Sequence, residues 1–415
     1  MITRIVLKDW KSFGNATLHI DPLTILIGTN ASGKSNVLDA LHLLRKVGQG
    51  AGWLAAVNGS SREDTGIRGS TEWLIRRGAP HFELTVHLSG EDQNTEYVYH
   101  VCLDVTEDGR IETLDESLKR LKQRMVSGEY RYTKQIFSTE LKDAAAPSIA
   151  TYITNNKQGR GRRFDLRRNL SLLTQLQGMT VVQDVSAAVE DVLSQLKKIF
   201  VFDPIPSQMR DYTRLSDQLA DNGSNIAGVL AALEPDRANE IHQTLTRYLH
   251  RLPENEIHQV YAEPVGKLGT DAMLYCEERQ SDGDILIMDA RGMSDGTLRF
   301  LGILTALLTL PPESLLVVEE IDNGLHPSRS FLLVELLKSI GNNRSVDVVC
   351  TTHNPALLNE LGNTMIPFIS VVYRDDESGA SHIKLLEDIK YLPRLMAKGK
   401  VGTLLSKGLL EEAVQ

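Results

Sequence analysis

The segment GTNASGKS at residues 28–35 constrains the fold of this chain more than any other stretch. It fits the pattern Gly-x4-Gly-Lys-Ser. The short apolar run PLTILI precedes it, and SNVLDALHLLRKV, with apolar residues at helical spacing, follows it. A strand, a glycine-rich loop and a helix in this order direct backbone N–H groups and the positive end of a helix dipole towards phosphate oxygens. The sequence therefore predicts a phosphate-binding loop in an α/β fold.

Each residue type in this loop suits a nucleotide triphosphate. Gly28 and Gly33 let the backbone turn inwards, Lys34 places a cation on the β- and γ-phosphates, and Ser35 can ligate Mg²⁺. The alternative is a glycine-rich turn with an unrelated lysine, which the flanking strand and helix disfavour. We predict ATP and Mg²⁺ as ligands. The predicted ATP-binding residues are Gly28, Thr29, Asn30, Ala31, Ser32, Gly33, Lys34 and Ser35.

Two later strands also end in residues that suit phosphate chemistry. The run LLVVEE predicts a buried strand that ends in Glu319 and Glu320, and VDVVC predicts a strand that leads to His353. Glu319 is the candidate Mg²⁺ ligand, in a place where aspartate is usual, and Glu320 is the candidate base for the attacking water. His353 can hydrogen-bond the γ-phosphate or that water. The alternative for all three is a solvated turn.

Composition narrows the classes of function. The net charge of −9 argues against a nucleic-acid surface over the whole protein, although a local basic patch is compatible with it. Three scattered cysteines indicate neither a disulfide framework nor a zinc site. The N-terminal MITRIVLKDW lacks the apolar core of a signal peptide, and no apolar run reaches membrane-spanning length. We expect a cytoplasmic protein without membrane contact.

The pattern along the chain predicts several elements. Residues 2–20 and the runs HFELTVHL and EYVYHVCLDV alternate as antiparallel strands do, and residues 369–386 predict a closing hairpin. Amphipathic helical pieces recur between 105 and 284. From 285 onwards, beginning with ILIMDA, strands and helices alternate in the manner of a parallel sheet flanked by helices.

The order of phosphate loop, MSDGTLR, Glu-Glu strand and TTHNP resembles ATPases of the ABC type, and among them the RecF, SMC and OLD-like group. The resemblance covers roughly 1–104 and 285–390. It implies an α/β fold: an ABC-type P-loop ATPase head with a mixed sheet, an antiparallel β lobe and a mainly helical insertion. The expected parts are an N-terminal part of the head over 1–104, a largely helical insertion over 105–284, a C-terminal part of the head over 285–390 and a helical tail over 391–415.

The same resemblance assigns roles across a dimer. It implies that MSDGTLR is a signature motif, in which Ser294, Asp295 and Gly296 contact ATP bound to the other subunit. Asp322 matches the region that crosses the dimer seam. EWLIRRGAPHFELTVHL resembles a segment in which relatives carry a functional arginine, so Arg76 and Arg77 are candidates.

A basic cluster at 157–168 is a candidate contact for DNA or for a partner protein, or it is a solvated hairpin. It contains Lys157, Arg160, Arg162, Arg163, Arg167 and Arg168.

Three functions stay open from the sequence. The first is an ATPase that controls a separate effector, such as a nuclease, in antiviral (anti-phage) defence. It would be a homodimer, or a higher oligomer built from ATP-sandwich dimers. This rests on the resemblance and on the absence of a Toprim nuclease pattern after His353. The second is a RecF-like DNA-binding ATPase of repair or recombination. The third is a scaffold that binds nucleotide and hydrolyses it weakly.

Overall fold

The computed structural model describes residues 1–60, 66–123, 130–155, 159–251, 257–279 and 283–414. The strands in chain order are β1 Ile2–Lys8, β2 Asn15–His19, β3 Leu23–Ile27, β4 Phe82–Ser89, β5 Thr95–Val105, β6 Ile111–Gln123, β7 Tyr130–Glu140, β8 Ser148–Ile153, β9 Arg162–Arg167, β10 Ile199–Phe202, β11 Thr213–Arg214, β12 Ile257–Val265, β13 Asp271–Arg279, β14 Ile285–Asp289, β15 Leu315–Val318, β16 Asp347–Thr351, β17 Ile369–Arg374 and β18 Ser381–Leu385. The α-helices are α1 Lys34–Gly48, α2 Trp53–Asn58, α3 Leu172–Gln177, α4 Gln183–Lys197, α5 Ile226–Ala231, α6 Pro235–Leu249, α7 Asp295–Thr309, α8 Pro327–Arg344, α9 Pro355–Leu361, α10 Leu392–Met396, α11 Val401–Ser406 and α12 Leu409–Val414.

A six-stranded, mostly parallel sheet lies at the centre, in the order β10-β15-β16-β3-β17-β18. The pairs from β10 to β17 are parallel, and β18 returns antiparallel to β17 as the predicted hairpin. Every residue of β3, β15 and β16 is buried, because both faces of this sheet are covered. Parallel strands end at the same edge of a sheet, so the loops after β3, β15 and β16 lie side by side.

Two apolar cores lie on the two faces of this sheet. Strand β3 shows the division, since Leu23, Ile25 and Ile27 join one core and Leu26 joins the other. Helices α7 and α8 contribute to the first core, and α1 and α4 contribute to the second, together with the inner face of an antiparallel sheet. The edge that carries the three loops is therefore supported from both sides.

The antiparallel sheet has eight strands in the order β2-β1-β4-β5-β6-β7-β8-β9. The predicted antiparallel strands at the N terminus are confirmed, since β1 pairs with β2 and β4 pairs with β5. Alternate residues of β4 are buried and partly exposed, as a sheet with one solvated face requires.

The prediction of a largely helical insertion over 105–284 is wrong in its first third. Strands β6 to β9 continue the antiparallel sheet directly from β5, so the chain has no structural boundary at 104. Helices α3 to α6 follow, but β10 between them joins the central sheet beside β15. The register between β5 and β6 shifts between Cys102 and Leu103, and this irregularity breaks the period-two pattern that would reveal β6.

A third, small sheet contains β11, β12, β13 and β14. The expectation that ILIMDA begins the parallel sheet is wrong, because β14 pairs antiparallel with β13. Ile285, Leu286 and Ile287 are 49%, 47% and 57% exposed, although three consecutive apolar residues are typical of a buried strand. Among the described residues, no helix is both long and apolar enough to cross a bilayer.

Candidate active site

The phosphate loop joins β3 to α1 and has a backbone that only glycine fits at two positions. Gly28 has φ 151° and Gly33 has φ 115°, in the region that L side chains rarely adopt. A Cβ at Gly28 would lie 2.1 Å from the carbonyl oxygen of Val372, and a Cβ at Gly33 would lie 2.8 Å from Oγ of Ser381. The loop is therefore packed closely against the β17–β18 hairpin.

Lys34 begins α1 and folds back over the loop. Its Nζ donates hydrogen bonds of 2.8 Å and 2.9 Å to the carbonyl oxygens of Gly28 and Thr29. Burial lowers the pKa of Lys34, whereas the nearby carboxylates of Glu320 and Glu319 raise it. The ammonium group is thus held inside the loop, close to both strand-end acids.

Ser35 and Glu319 meet, as their predicted roles require. Oγ of Ser35 donates a hydrogen bond to a carboxylate oxygen of Glu319, although the two residues are 284 positions apart in the chain. A hydroxyl and a carboxylate are hard oxygen ligands, which Mg²⁺ prefers. The donor set at this point fits the ion.

Arg68 is the site residue that the sequence analysis missed. Its Nη1 lies 3.0 Å and 2.8 Å from the two carboxylate oxygens of Glu319, and its Nη2 donates to the carbonyl oxygen of Ser35 at 3.0 Å. Nε donates to Asp39, whose other oxygen accepts from Nζ of Lys11 at 2.6 Å. The resemblance pointed to Arg76 and Arg77 instead, and no local pattern distinguishes Arg68, because Arg77 is likewise followed by glycine.

Glu320 and His353 form the open side of the site. Nδ1 of His353 lies 3.5 Å from Oε1 of Glu320, and the two side chains are 47% and 43% exposed. Glu320 has φ 46°, an uncommon backbone for a residue with a side chain, and its N–H donates to Oγ1 of Thr351 at 2.8 Å. The buried Arg299 donates to the carbonyl oxygens of Glu319 and Glu320 at 3.0 Å and 3.2 Å. The turn is therefore fixed while its carboxylate stays accessible to water.

The segment 294–296 opens α7. Ser294 caps the helix, since its Oγ accepts from the N–H of Thr297 at 3.1 Å, and Asp295 accepts a hydrogen bond from Arg210. Gly296 is buried, and a Cβ there would lie 3.0 Å from the carbonyl oxygen of Gly324. Among the described residues, no recorded hydrogen bond joins 294–296 to the phosphate loop of the same chain.

Asp322 lies inside the protein. Its side chain is largely buried, and Oδ1 accepts a hydrogen bond of 2.7 Å from Oγ1 of Thr352. The neighbouring Asn323 and Gly324 are exposed. The carboxylate of Asp322 ties the loop after β15 to the loop after β16, and its place at a seam between subunits stays a prediction.

The candidate arginines separate into exposed and buried ones. Arg168 is buried, donates to the carbonyl oxygens of Thr113, Ala144 and Ala146 and pairs with Glu112 at 2.9 Å, so the prediction that it contacts DNA or a partner is wrong. The exposed members of the cluster lie on or next to the edge strand β9, and they are Arg160, Arg162, Arg163 and Arg167. Lys157 lies outside the described residues.

The other two candidate arginines precede β4. Nε of Arg76 donates to Oδ1 of Asp9 at 2.8 Å, and Arg77 is exposed. Neither residue has a recorded contact with the phosphate loop or the strand-end acids among the described residues.

The family model described as "AAA domain, putative AbiEii toxin, Type IV TA system" matches residues 23–359. Three solved structures of Smc heads are similar to this chain. The SmcHead bound to the C-winged helix domain of ScpA is 15% identical, with a TM-score of 0.50 over 92% of this chain and 96% of that one. An Smc head with an extended coiled coil, bound to the C-terminal domain of ScpA and derived from Pyrococcus furiosus, is 14% identical, with a TM-score of 0.50 over 95% and 99%. An Smc head with a coiled coil and joint, derived from Pyrococcus yayanosii, is 12% identical, with a TM-score of 0.50 over 100% and 99%.

No functionally curated protein matches the chain significantly. At the identities of the Smc heads, structural similarity establishes the fold alone. It confirms the predicted α/β class, since the chain has the mixed α/β fold of these heads, with several sheets.

Proposed function

The chain belongs to the AbiEii-type family of AAA domains, and from that premise we propose that it binds ATP with Mg²⁺ and hydrolyses it to ADP and phosphate. One observation carries the proposal: the ends of β3, β15 and β16 bring a phosphate loop, two carboxylates and a histidine to one edge of the central sheet. This is the set of groups that phosphoryl transfer to water needs.

The residues divide the work by position. The loop N–H groups and Lys34 would bind the phosphates, and Ser35 with Glu319 would hold Mg²⁺, which neutralises phosphate charge when it is bound. Glu320 would accept a proton from the attacking water, because its carboxylate is accessible and its backbone is fixed. His353, at 3.5 Å from Glu320, would orient that water.

We propose further that two chains complete each other's site. Ser294 and Asp295 are exposed at the N-terminal end of α7, a helix of 15 residues whose dipole favours an anion at this end. Their recorded contacts are to α7 and Arg210, so they do not complete the site of their own chain. A homodimer, or a larger assembly built from such dimers, would place them on the phosphates bound by the partner.

We propose that a separate effector protein responds to whether this chain has ATP bound, and that the two proteins act together in defence against phage. The family description names a toxin of a toxin–antitoxin system, and two of the similar Smc heads are bound to domains of ScpA. Co-purification of the chain with the product of an adjacent gene, in the presence and absence of ATP, tests this step. Retention of the effector that is independent of ATP would contradict it.

Phosphate release by the purified chain tests the ATPase itself. Lys34→Ala removes a charge-assisted contact to phosphate and should abolish ATP binding and turnover. Lys390→Ala, at an exposed lysine that does not line the cavity at the loop, is the matched control and should behave as the wild type. Equal turnover in all three proteins would overturn the ATPase proposal.

A RecF-like, DNA-stimulated ATPase is the second candidate. The exposed arginines favour it, because they lie on or beside the edge strand β9, and Arg162 stacks on Phe164 with its guanidinium 4.8 Å from the ring centre. Stimulation of ATP turnover by DNA, steeply reduced by salt, would select this function. Turnover that is unaffected by DNA would reject it.

A further inference from the structure

The C-terminal helix α12 lies beside the phosphate loop. The two border a cavity of about 400 Å³, which is lined by loop residues 29–32, by Arg374 at the end of β17 and Asp376 in the turn after it, and by Glu411 and Glu412 of the helix. A segment from the far end of the chain thus brings two carboxylates to the loop that the proposed function assigns to phosphate.

Glu411 has an unusual environment in this cavity. Both of its carboxylate oxygens are buried, and neither has a hydrogen-bond partner among the described residues. Oγ of Ser32, which lines the same cavity, is also buried without a partner. A carboxylate removed from water without donors is costly, so its position needs a compensating positive field.

The cations beside the cavity supply that field. Arg374 lines the cavity together with Glu411. Nζ of Lys34 is held in the same loop by the carbonyl oxygens of Gly28 and Thr29, at 2.8 Å and 2.9 Å. The carboxylate of Glu411 therefore lies beside the loop whose ammonium group would bind phosphate.

We propose that α12 is an autoinhibitory element in which Glu411 competes with the phosphates of ATP for the field of the loop. The inference rests on the nucleotide binding proposed above. Two anions cannot share that field without repulsion, so nucleotide binds at the cost of displacing Glu411 from the cavity.

The links of the tail suit such a displacement. Helix α11 is fixed on α9, since the N–H of Thr403 donates to Asn359 at 3.1 Å and a Cβ on Gly402 would lie 1.9 Å from the carbonyl oxygen of Pro355. Gly408 then joins α11 to α12 with φ 71°. A Cβ added at this residue would have no other atom within 4 Å. The chain can turn at Gly408 while α11 stays in place.

ATP affinity of full-length variants tests the proposal. Glu411→Gln keeps the shape of the side chain and removes its charge, so it should lower the Kd for a fluorescent ATP analogue by about threefold to tenfold at low salt. Glu387→Gln is the matched control, because Glu387 is an exposed glutamate that does not line the cavity; it should change the Kd less than about twofold. Hydrogen exchange of amides 409–414 should become faster at saturating ATP.

The outcomes separate this inference from the proposed function. If Glu411→Gln and the wild type bind ATP equally, while Lys34→Ala does not bind, the tail proposal is wrong and the nucleotide site stands. Exchange at 409–414 that is unchanged or slower at saturating ATP also overturns it. If neither the wild type nor Glu411→Gln binds ATP, both the nucleotide site and the tail proposal fail.

Discussion

Replacing Glu320 by glutamine separates the chemistry of the site from its architecture. The backbone bonds that fix this residue, from its N–H to Thr351 and from Arg299 to its carbonyl, do not involve the side chain. Glutamine also meets the same left-handed backbone, φ 46°, that glutamate tolerates here. The variant therefore keeps the turn and loses the negative charge, and with it the ability to accept a proton and the ion pair with His353.

The expected cost in stability is small. The carboxylate pairs with His353 at 3.5 Å while both side chains are nearly half exposed, and such pairs contribute about 0–1 kcal/mol. The melting temperature should therefore shift by no more than a few degrees. Loss of the base should slow hydrolysis about 100-fold or more, which corresponds to about 2.7 kcal/mol in the barrier.

Single-turnover phosphate release, together with light scattering of the eluting species, measures both effects. Glu320→Gln should bind ATP, release phosphate slowly and accumulate as an ATP-bound dimer. Glu319→Gln is the comparison, because Glu319 contacts Ser35 and Arg68 and its loss should weaken Mg²⁺-dependent binding. Normal hydrolysis by Glu320→Gln with an inactive Glu319→Gln would refute the roles assigned to the two acids.

Two further substitutions examine other parts of the chain. Ser294→Arg should retain ATP binding but lose ATP-dependent dimerisation, measured by sedimentation, and ATP turnover, measured by phosphate release. Mixing it with Lys34→Ala should restore part of the turnover, because one complete composite site forms. If Ser294→Arg alone keeps full activity in both assays, residues 294–296 serve only as a helix cap. Arg168→Ala should lower the free energy of unfolding by about 2–4 kcal/mol in denaturant titration, because it leaves three carbonyls and Glu112 without their buried donor. A loss below about 0.5 kcal/mol would show that these contacts are dispensable.

The centre of the site was predictable because local pattern and sheet geometry agree there. A glycine-rich loop after β3 and acids after β15 must meet when the strands are parallel, and Ser35 does contact Glu319 across 284 positions. Nothing comparable marks Arg68, which approaches from a connection whose course depends on tertiary packing. Its role follows only from its distances to Glu319 and Asp39.

The two incorrect predictions about β6 and Arg168 have related causes. Strand β6 carries many charged residues on its solvated side, and a register shift interrupts its alternation, so its place in an antiparallel sheet is not evident locally. Arg168 belongs to a basic run in the sequence, yet it turns inwards to carbonyl groups that other segments supply. Charge in a sequence does not reveal which side chains the fold will enclose.

Helix α7 has a mechanical consequence through Arg299. The helix is buried along most of its length, and the guanidinium on its second turn holds the carbonyls of Glu319 and Glu320. Its N-terminal end and the turn that bears Glu320 are therefore joined by one helix and two hydrogen bonds. If a second chain does contact Ser294 as proposed, that contact at the surface would be transmitted through α7 to the alignment of the Glu320 carboxylate.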